Sequence, residues 1–139
     1  MTAVEFDRRR GRDTGSLSIV MMFLTIVALG GAALVVDGGR ALTARRHAAN
    51  TAESAARSGV ASQSLSTGFD PAVATAVARS VAVRSGVDPA DIDVEVRYSP
   101  QPQLIVTITE HPSTVFLILG GAEVMTVRAS GSAIFVYSV

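Results

Sequence analysis

Between Asp13 and Asp37 the chain carries no charged residue. Within that interval the run Leu17–Val36, LSIVMMFLTIVALGGAALVV, is almost wholly apolar. At about 1.5 Å rise per residue it spans roughly 30 Å as a helix, the hydrocarbon thickness of a bilayer. Leu, Ile, Val and Phe fill 11 of its positions, and their favourable insertion outweighs the scattered Gly, Ser and Thr. The pattern predicts a membrane helix over residues 16–37. From Arg40 to about Gln63 alanine dominates and no proline intervenes, which favours a helix. Ala41, Ala44, Ala48, Ala52, Ala55 and Gly59 recur at three- and four-residue steps, a thin stripe of small residues on one helical face. Arg45, Arg46, Asn50, Glu53 and Arg57 fall largely elsewhere around the helix, with Glu53 and Arg57 at ion-pair spacing.

The pattern then changes. Gly68-Phe69-Asp70-Pro71 closes a loop onto a helix start, with Asp70 as N-cap and Pro71 at the first helical position. The helix that follows carries Val73, Val77 and Val81 along one face and ends at Gly86. Asp88-Pro89 opens a turn. From Ile92 the period becomes two: Ile92, Val94, Val96 and Tyr98 alternate with Asp93, Glu95 and Arg97, the mark of a half-buried strand. Ser99-Pro100-Gln101-Pro102 turns the chain into a second strand over Leu104–Thr109, and a hairpin is the simplest pairing. Thr114–Leu119, TVFLIL, is too short to cross a bilayer. It either covers the sheet as a short helix or rests on the membrane face, and the core is the expectation. Glu123–Tyr137 predicts one long strand or two, interrupted near Gly131. The expected class is α+β: a membrane helix continuing into an alanine-rich helix, a second helix, and a small antiparallel sheet of three or four strands.

Composition sharpens this picture. A chain of 139 residues, 48% hydrophobic, has room for one modest domain beside the membrane helix. Formal net charge is zero and every basic residue is arginine. Apart from Arg8, Arg9, Arg10 and Arg12 the arginines are dispersed, so no basic stripe suits nucleic acid. Cysteine is absent, which removes disulfides, thiolate metal sites and a cysteine nucleophile together. The domain expectation is an arginine-rich cytoplasmic tail over 1–15, the membrane helix over 16–37, and an extracytoplasmic part over 38–139. Arg40, Arg45 and Arg46 follow the apolar run closely, so the charge asymmetry is slight, and the short amino-terminal tail decides for cytoplasmic retention. A secretory signal peptide is the rival, with Ala28-Leu29-Gly30 at cleavage spacing. Ala28, Gly30, Gly31 and Ala32 also offer small residues over which another membrane helix could pack.

Asp37-Gly38-Gly39-Arg40 interrupts the hydropathy and invites a catalytic or phosphate-binding reading. The longer glycine pattern, lysine and preceding strand of a phosphate loop are missing, and no acid, base or metal ligand stands nearby in sequence. A structural junction is the better expectation. Asp37 would cap the next helix through its free backbone N–H groups, or pair with Arg40 if the helix continues, and the glycines would let the chain bend or unwind.

The stretch VVDGGRALTARRHAANTAESAARSGVA resembles the signature of tight-adherence (Tad) pilus-assembly proteins of the TadE/TadG-like type, in the short form typical of actinobacteria. The matching positions are Asp37, Gly38, Gly39, Arg40, Arg45, Arg46, Asn50, Ala52, Glu53, Ala55 and Ala56. Pro112–Gly120 and Thr126–Ala133 mirror less specific distal motifs of the same family. The resemblance implies a single-pass membrane protein, with its carboxy-terminal domain outside, acting as a minor subunit or assembly factor of a Tad/Flp-type pilus or related secretion apparatus. Helix plus small sheet is also the layout of pilin-like subunits. One departure concerns processing. A prepilin-peptidase site carries glutamate at the fifth position after its glycine, whereas Gly15 is followed there by Val20 and Gly11 by Ser16.

Other chemistry finds little footing. His47 and His111 lie far apart without further ligands at metal spacing. Asp88, Asp91, Asp93 and Glu95 hold only fragments of a calcium-loop pattern. The expectation is therefore a non-enzymatic protein with no cofactor, no metal, no nucleic acid and no small-molecule substrate. Its partners would be membrane lipid and other membrane or pilus-assembly subunits. A secreted soluble binding domain and a small membrane-bound regulator stand as the alternatives.

Overall fold

The computed structural model describes residues 4–64, 66, 68–121 and 123–136, with backbone alone for 4–14, 119 and 120. The tail arginines Arg8, Arg9, Arg10 and Arg12 thus enter only as helix backbone, and Tyr137, the expected end of the last strand, lies outside the described residues.

The first element is one helix, α1, Val4–Ala61, of 58 residues and about 87 Å in length. It runs through Gly38 and Gly39 without a break. Neither glycine has a positive φ, and neither is approached within 4 Å at the place a Cβ would occupy. The expected bend or fresh helix start is therefore not what happens here. Alanines, leucines and arginines on both sides favour helix strongly enough to carry two glycines, at about 1 kcal/mol each.

Up to Val36 the described side chains of α1 are almost all exposed, and the segment is long and apolar enough to cross a membrane. From Asp37 onward one face is covered. Ala48, Ala52, Ala55 and Ala56 are fully buried, and Arg45, Arg46, Asn50, Glu53 and Arg57 are exposed. The alanine stripe thus packs against the chain's own domain.

Helix α2, Pro71–Arg84, starts as its sequence predicts: the Asp70 carboxylate accepts from the backbone N–H groups of Ala72 and Val73. Its buried face is Ala74, Ala78 and Ala82, not the valines, and Val73 is exposed. The reason is distance between backbones. A Cβ built on Gly59 of α1 would lie 2.7 Å from the Ala74 carbonyl oxygen and 3.3 Å from the Ala78 Cβ. Helices that approach this closely admit only small residues between them.

After a 3-10 turn at Pro89–Asp91 come three strands: β1, Ile92–Arg97; β2, Gln103–Glu110; and β3, Val127–Ile134. They form one antiparallel sheet in the order β1-β2-β3. Ile92, Val94 and Val96 stand opposite Ile108, Val106 and Leu104, which stand opposite Ala129, Gly131 and Ala133 in turn. Leu104, Val106 and Ile108 are fully buried against the helices. The expected interruption near Gly131 does not occur. Gly131 stays in the strand because α1 crosses directly over it: a Cβ there would lie 2.3 Å from the Glu53 backbone nitrogen. The architecture is α+β with a three-stranded antiparallel sheet.

The sheet lies along α1. Thr126, Val127 and Arg128 face the stretch Gly38–Arg45 across a shallow groove, and Gly131 meets Ala52 and Glu53 farther along. Strand β3 therefore runs away from the apolar end of α1, while β2 runs towards it. Phe69 packs edge-on to Tyr98 and tilted against Phe135, beyond the other end of the sheet. The connection between β2 and β3, residues 111–126, accordingly falls beside the end of the apolar run.

Candidate functional site

That connection folds back on itself. Thr114 donates its N–H to the Glu123 carbonyl at 3.1 Å, and Met125 donates to the Pro112 carbonyl at 3.1 Å, with an antiparallel bridge between Ser113 and Val124. At the tip is a short 3-10 turn, Leu117–Gly120, closed by Gly121 at φ +86°, a left-handed backbone that suits glycine. No side chain at the turn's own N-cap position, Phe116, satisfies its free N–H groups.

Asp37 does so from α1. One carboxylate oxygen accepts the Val115 N–H at 2.8 Å, and the other accepts those of Phe116 at 3.0 Å and Leu117 at 2.8 Å. The residue is 1% exposed. These bonds place a buried anion where three donors converge, the arrangement that favours the charged form. Arg40 itself donates from Nη1 to the Ser113 carbonyl at 3.3 Å. Asp37 and Arg40, three residues apart on one helical face, thus grip the same loop. Asp37 does cap an N-terminus, but one far along the chain instead of its own helix, because α1 never stops there to free its N–H groups.

Between α1 and this loop runs an open groove lined by Val35, Val36, Gly39, Arg40, Pro112 and Ser113. The segment expected to enter the core stays outside it. Val115, Phe116, Leu117 and Ile118 are 42%, 37%, 38% and 49% exposed. The core beneath the sheet is already filled by the alanine faces of the two helices, and the loop is held at the level of Asp37.

The remaining signature residues divide into two sets. Ala52, Ala55 and Ala56 build the core. Arg45, Arg46, Asn50 and Glu53 face outward, with Glu53 paired to Arg57. Ala28, Gly30, Gly31 and most of the apolar run lie on the uncovered part of α1, where a Cβ on either glycine would meet nothing within 4 Å.

Both histidines find carboxylate partners. His47 Nδ1 lies 2.5 Å from Glu110 Oε1, and His111 Nε2 lies 3.2 Å from Asp91 Oδ1. Asp88 caps the Pro89–Asp91 turn through the Ala90 N–H, and Glu95 pairs with Arg97. Asp88, Asp91 and Glu95 are therefore spent on separate local contacts. Sequence reasoning missed the loop partners of Asp37, the Ser113 carbonyl and Glu110. No local spacing rule joins them to α1. The alternation Ala129, Gly131, Ala133 was a usable signal for a strand lying under a helix.

Comparison with known proteins finds no curated protein and no solved structure that matches the chain. A family model does match, over residues 15–62, which takes in the apolar run, Asp37, Arg40 and the buried alanines. The distal motifs at Pro112–Gly120 and Thr126–Ala133 lie outside the matched residues. Together the match and the long apolar helix support a Tad-type pilus component. Residues 15–62 match the model of the putative Flp pilus-assembly TadE/G-like family.

Proposed function

We propose that the chain is a single-pass membrane protein that works by association, as a minor subunit or assembly factor of a Tad/Flp-type pilus or the related secretion apparatus. On this reading the amino-terminal tail stays in the cytoplasm and residues 38–139 lie outside. Asp37 to Ala56 form the structural junction between anchor and domain. The observation that carries the reading is the family match coinciding with the helix that joins an uncovered apolar run to a folded domain. A rigid helix of this kind fixes the domain's height and orientation above the bilayer, which suits a part that must meet neighbours in an assembly. The alanine face is already consumed by the domain, so lateral partners are left the apolar run, with Ala28, Gly30, Gly31 and Ala32 as its small-residue face, and the exposed residues Arg45, Arg46 and Asn50.

Crosslinking in native membranes followed by capture of the full chain tests this reading. Recovery of Tad pilus or secretion subunits is expected, and their absence under conditions that trap other membrane neighbours would overturn it. The amino-terminal mass of the mature protein separates the anchor from a secreted domain: a chain starting beyond Gly30 would show cleavage. Because the chain has no cysteine, a single Ser130→Cys variant reports sidedness through an impermeant maleimide applied to intact cells.

A further inference from the structure

We infer that the tip of the β2–β3 connection, Val115-Phe116-Leu117-Ile118, is a second membrane contact that inserts into the lipid interface beside the exit of α1. The inference rests on the membrane-anchor reading and adds to it a surface that the family match does not include.

Four consecutive apolar residues are exposed here, within a stretch that carries no charge between His111 and Glu123. Isolated exposed apolar side chains are ordinary, but a contiguous cluster calls for an occupant. Lipid is the occupant because the patch continues the apolar surface of the anchor. Asp37, the first residue past the apolar run, holds the backbone of Val115, Phe116 and Leu117 directly. Leu34, Val35 and Val36, exposed at 70%, 75% and 43%, lie within one turn below it. A loop gripped at that height sits where the hydrocarbon gives way to headgroups, the depth at which short apolar and aromatic segments partition.

The hydrogen bonding supports the same placement. In water the free N–H groups of an exposed turn are satisfied by solvent. At the edge of the hydrocarbon they are not, and each unsatisfied group is costly. Asp37 supplies acceptors for the N–H groups of Val115, Phe116 and Leu117, so these three stay paired when the tip leaves water. The carboxylate is itself shielded by the same loop. A lateral protein partner would also bury apolar side chains, but nothing in its chemistry calls for a patch level with the end of the span.

The native chain has no tryptophan, so single-tryptophan variants of the full chain, reconstituted in vesicles, report each position separately. Leu117→Trp, with Ile118→Trp as a second reporter, is expected to show blue-shifted emission. Lipids brominated high on the acyl chain should quench most of it, and aqueous iodide little. Phe23→Trp, inside the span, should be quenched by lipids brominated near the bilayer centre. Ile134→Trp, on the outer face of the sheet, should respond to iodide alone. If Phe23→Trp is lipid-quenched while both tip reporters respond to iodide like Ile134→Trp, the inference is overturned and the anchor stands. Tip reporters shielded from iodide and bromolipid alike would mean a protein cover, a second copy included, and would also overturn it. If Phe23→Trp itself escapes bromolipid, the anchor reading fails and the inference falls with it.

Discussion

The Asp37 carboxylate accepts the backbone N–H of Val115 at 2.8 Å across 78 residues of sequence. With the bonds from Phe116 and Leu117 it fastens the connection between β2 and β3 to α1 at the point where the apolar run ends. A charge at that point is usually explained by proximity to water. Here it has a specific task, because the helix passes straight through and the carboxylate serves a turn elsewhere in the fold.

Gly131 is a close approach of sheet to helix. Its missing Cβ leaves the space in which the α1 backbone at Ala52 and Glu53 lies. A methyl group at Gly131 would stand 2.3–2.5 Å from those backbone atoms, closer than any real side chain could. Gly131→Ala should destabilise the domain by about 1–3 kcal/mol, the usual cost of overpacking, because rigid backbone and not a flexible side chain must give way. Gly38→Ala is the matched control. Space is open there and the site is helical, so it should be neutral or stabilising by up to about 1 kcal/mol. Chemical denaturation of both variants decides between a packed contact and a tolerated glycine.

Leu104 is the large residue on which the two helices and the sheet converge, fully buried and close to Gly59. With alanine supplying most other core positions, Leu104→Ala should cost about 2–5 kcal/mol, a large share of a small domain's stability. Asp70→Ala removes two N-cap bonds from α2 and should cost about 1 kcal/mol. Circular dichroism with denaturant titration measures both, and the order of the two effects is the prediction.

Much of this fold is legible in residue order. The alternation at Ile92–Arg97 gives β1 its faces, Asp70-Pro71 marks the start of α2, and the spacing from Ala41 to Gly59 marks the covered side of α1. These signals are local: each depends on neighbours within one turn or one strand. What escapes is set by distance in space. The buried face of α2 is not legible in its sequence because valine outranks alanine in hydrophobicity, whereas the approach of Gly59 to Ala74 leaves room only for alanine. Gly131 suggests a break because glycine weakens strands, yet here it admits a helix. TVFLIL has the composition of a core segment and lacks a place in a core already full. Asp37 can be recognised as a junction from its position, but its partners cannot, since no spacing rule links residues so far apart in the chain.

The most direct test of the Asp37 clamp is amide hydrogen exchange at Val115, Phe116 and Leu117 in the full chain reconstituted in bilayers, comparing wild type with Asp37→Ala. The variant lacks both carboxylate oxygens that accept the three N–H groups and leaves the helix-forming backbone of α1 intact. Slow exchange at those three amides in wild type is expected to become fast in the variant, with β2 protection at Val106 and Ile108 retained. Equal exchange at 115–117 in both proteins would contradict the account.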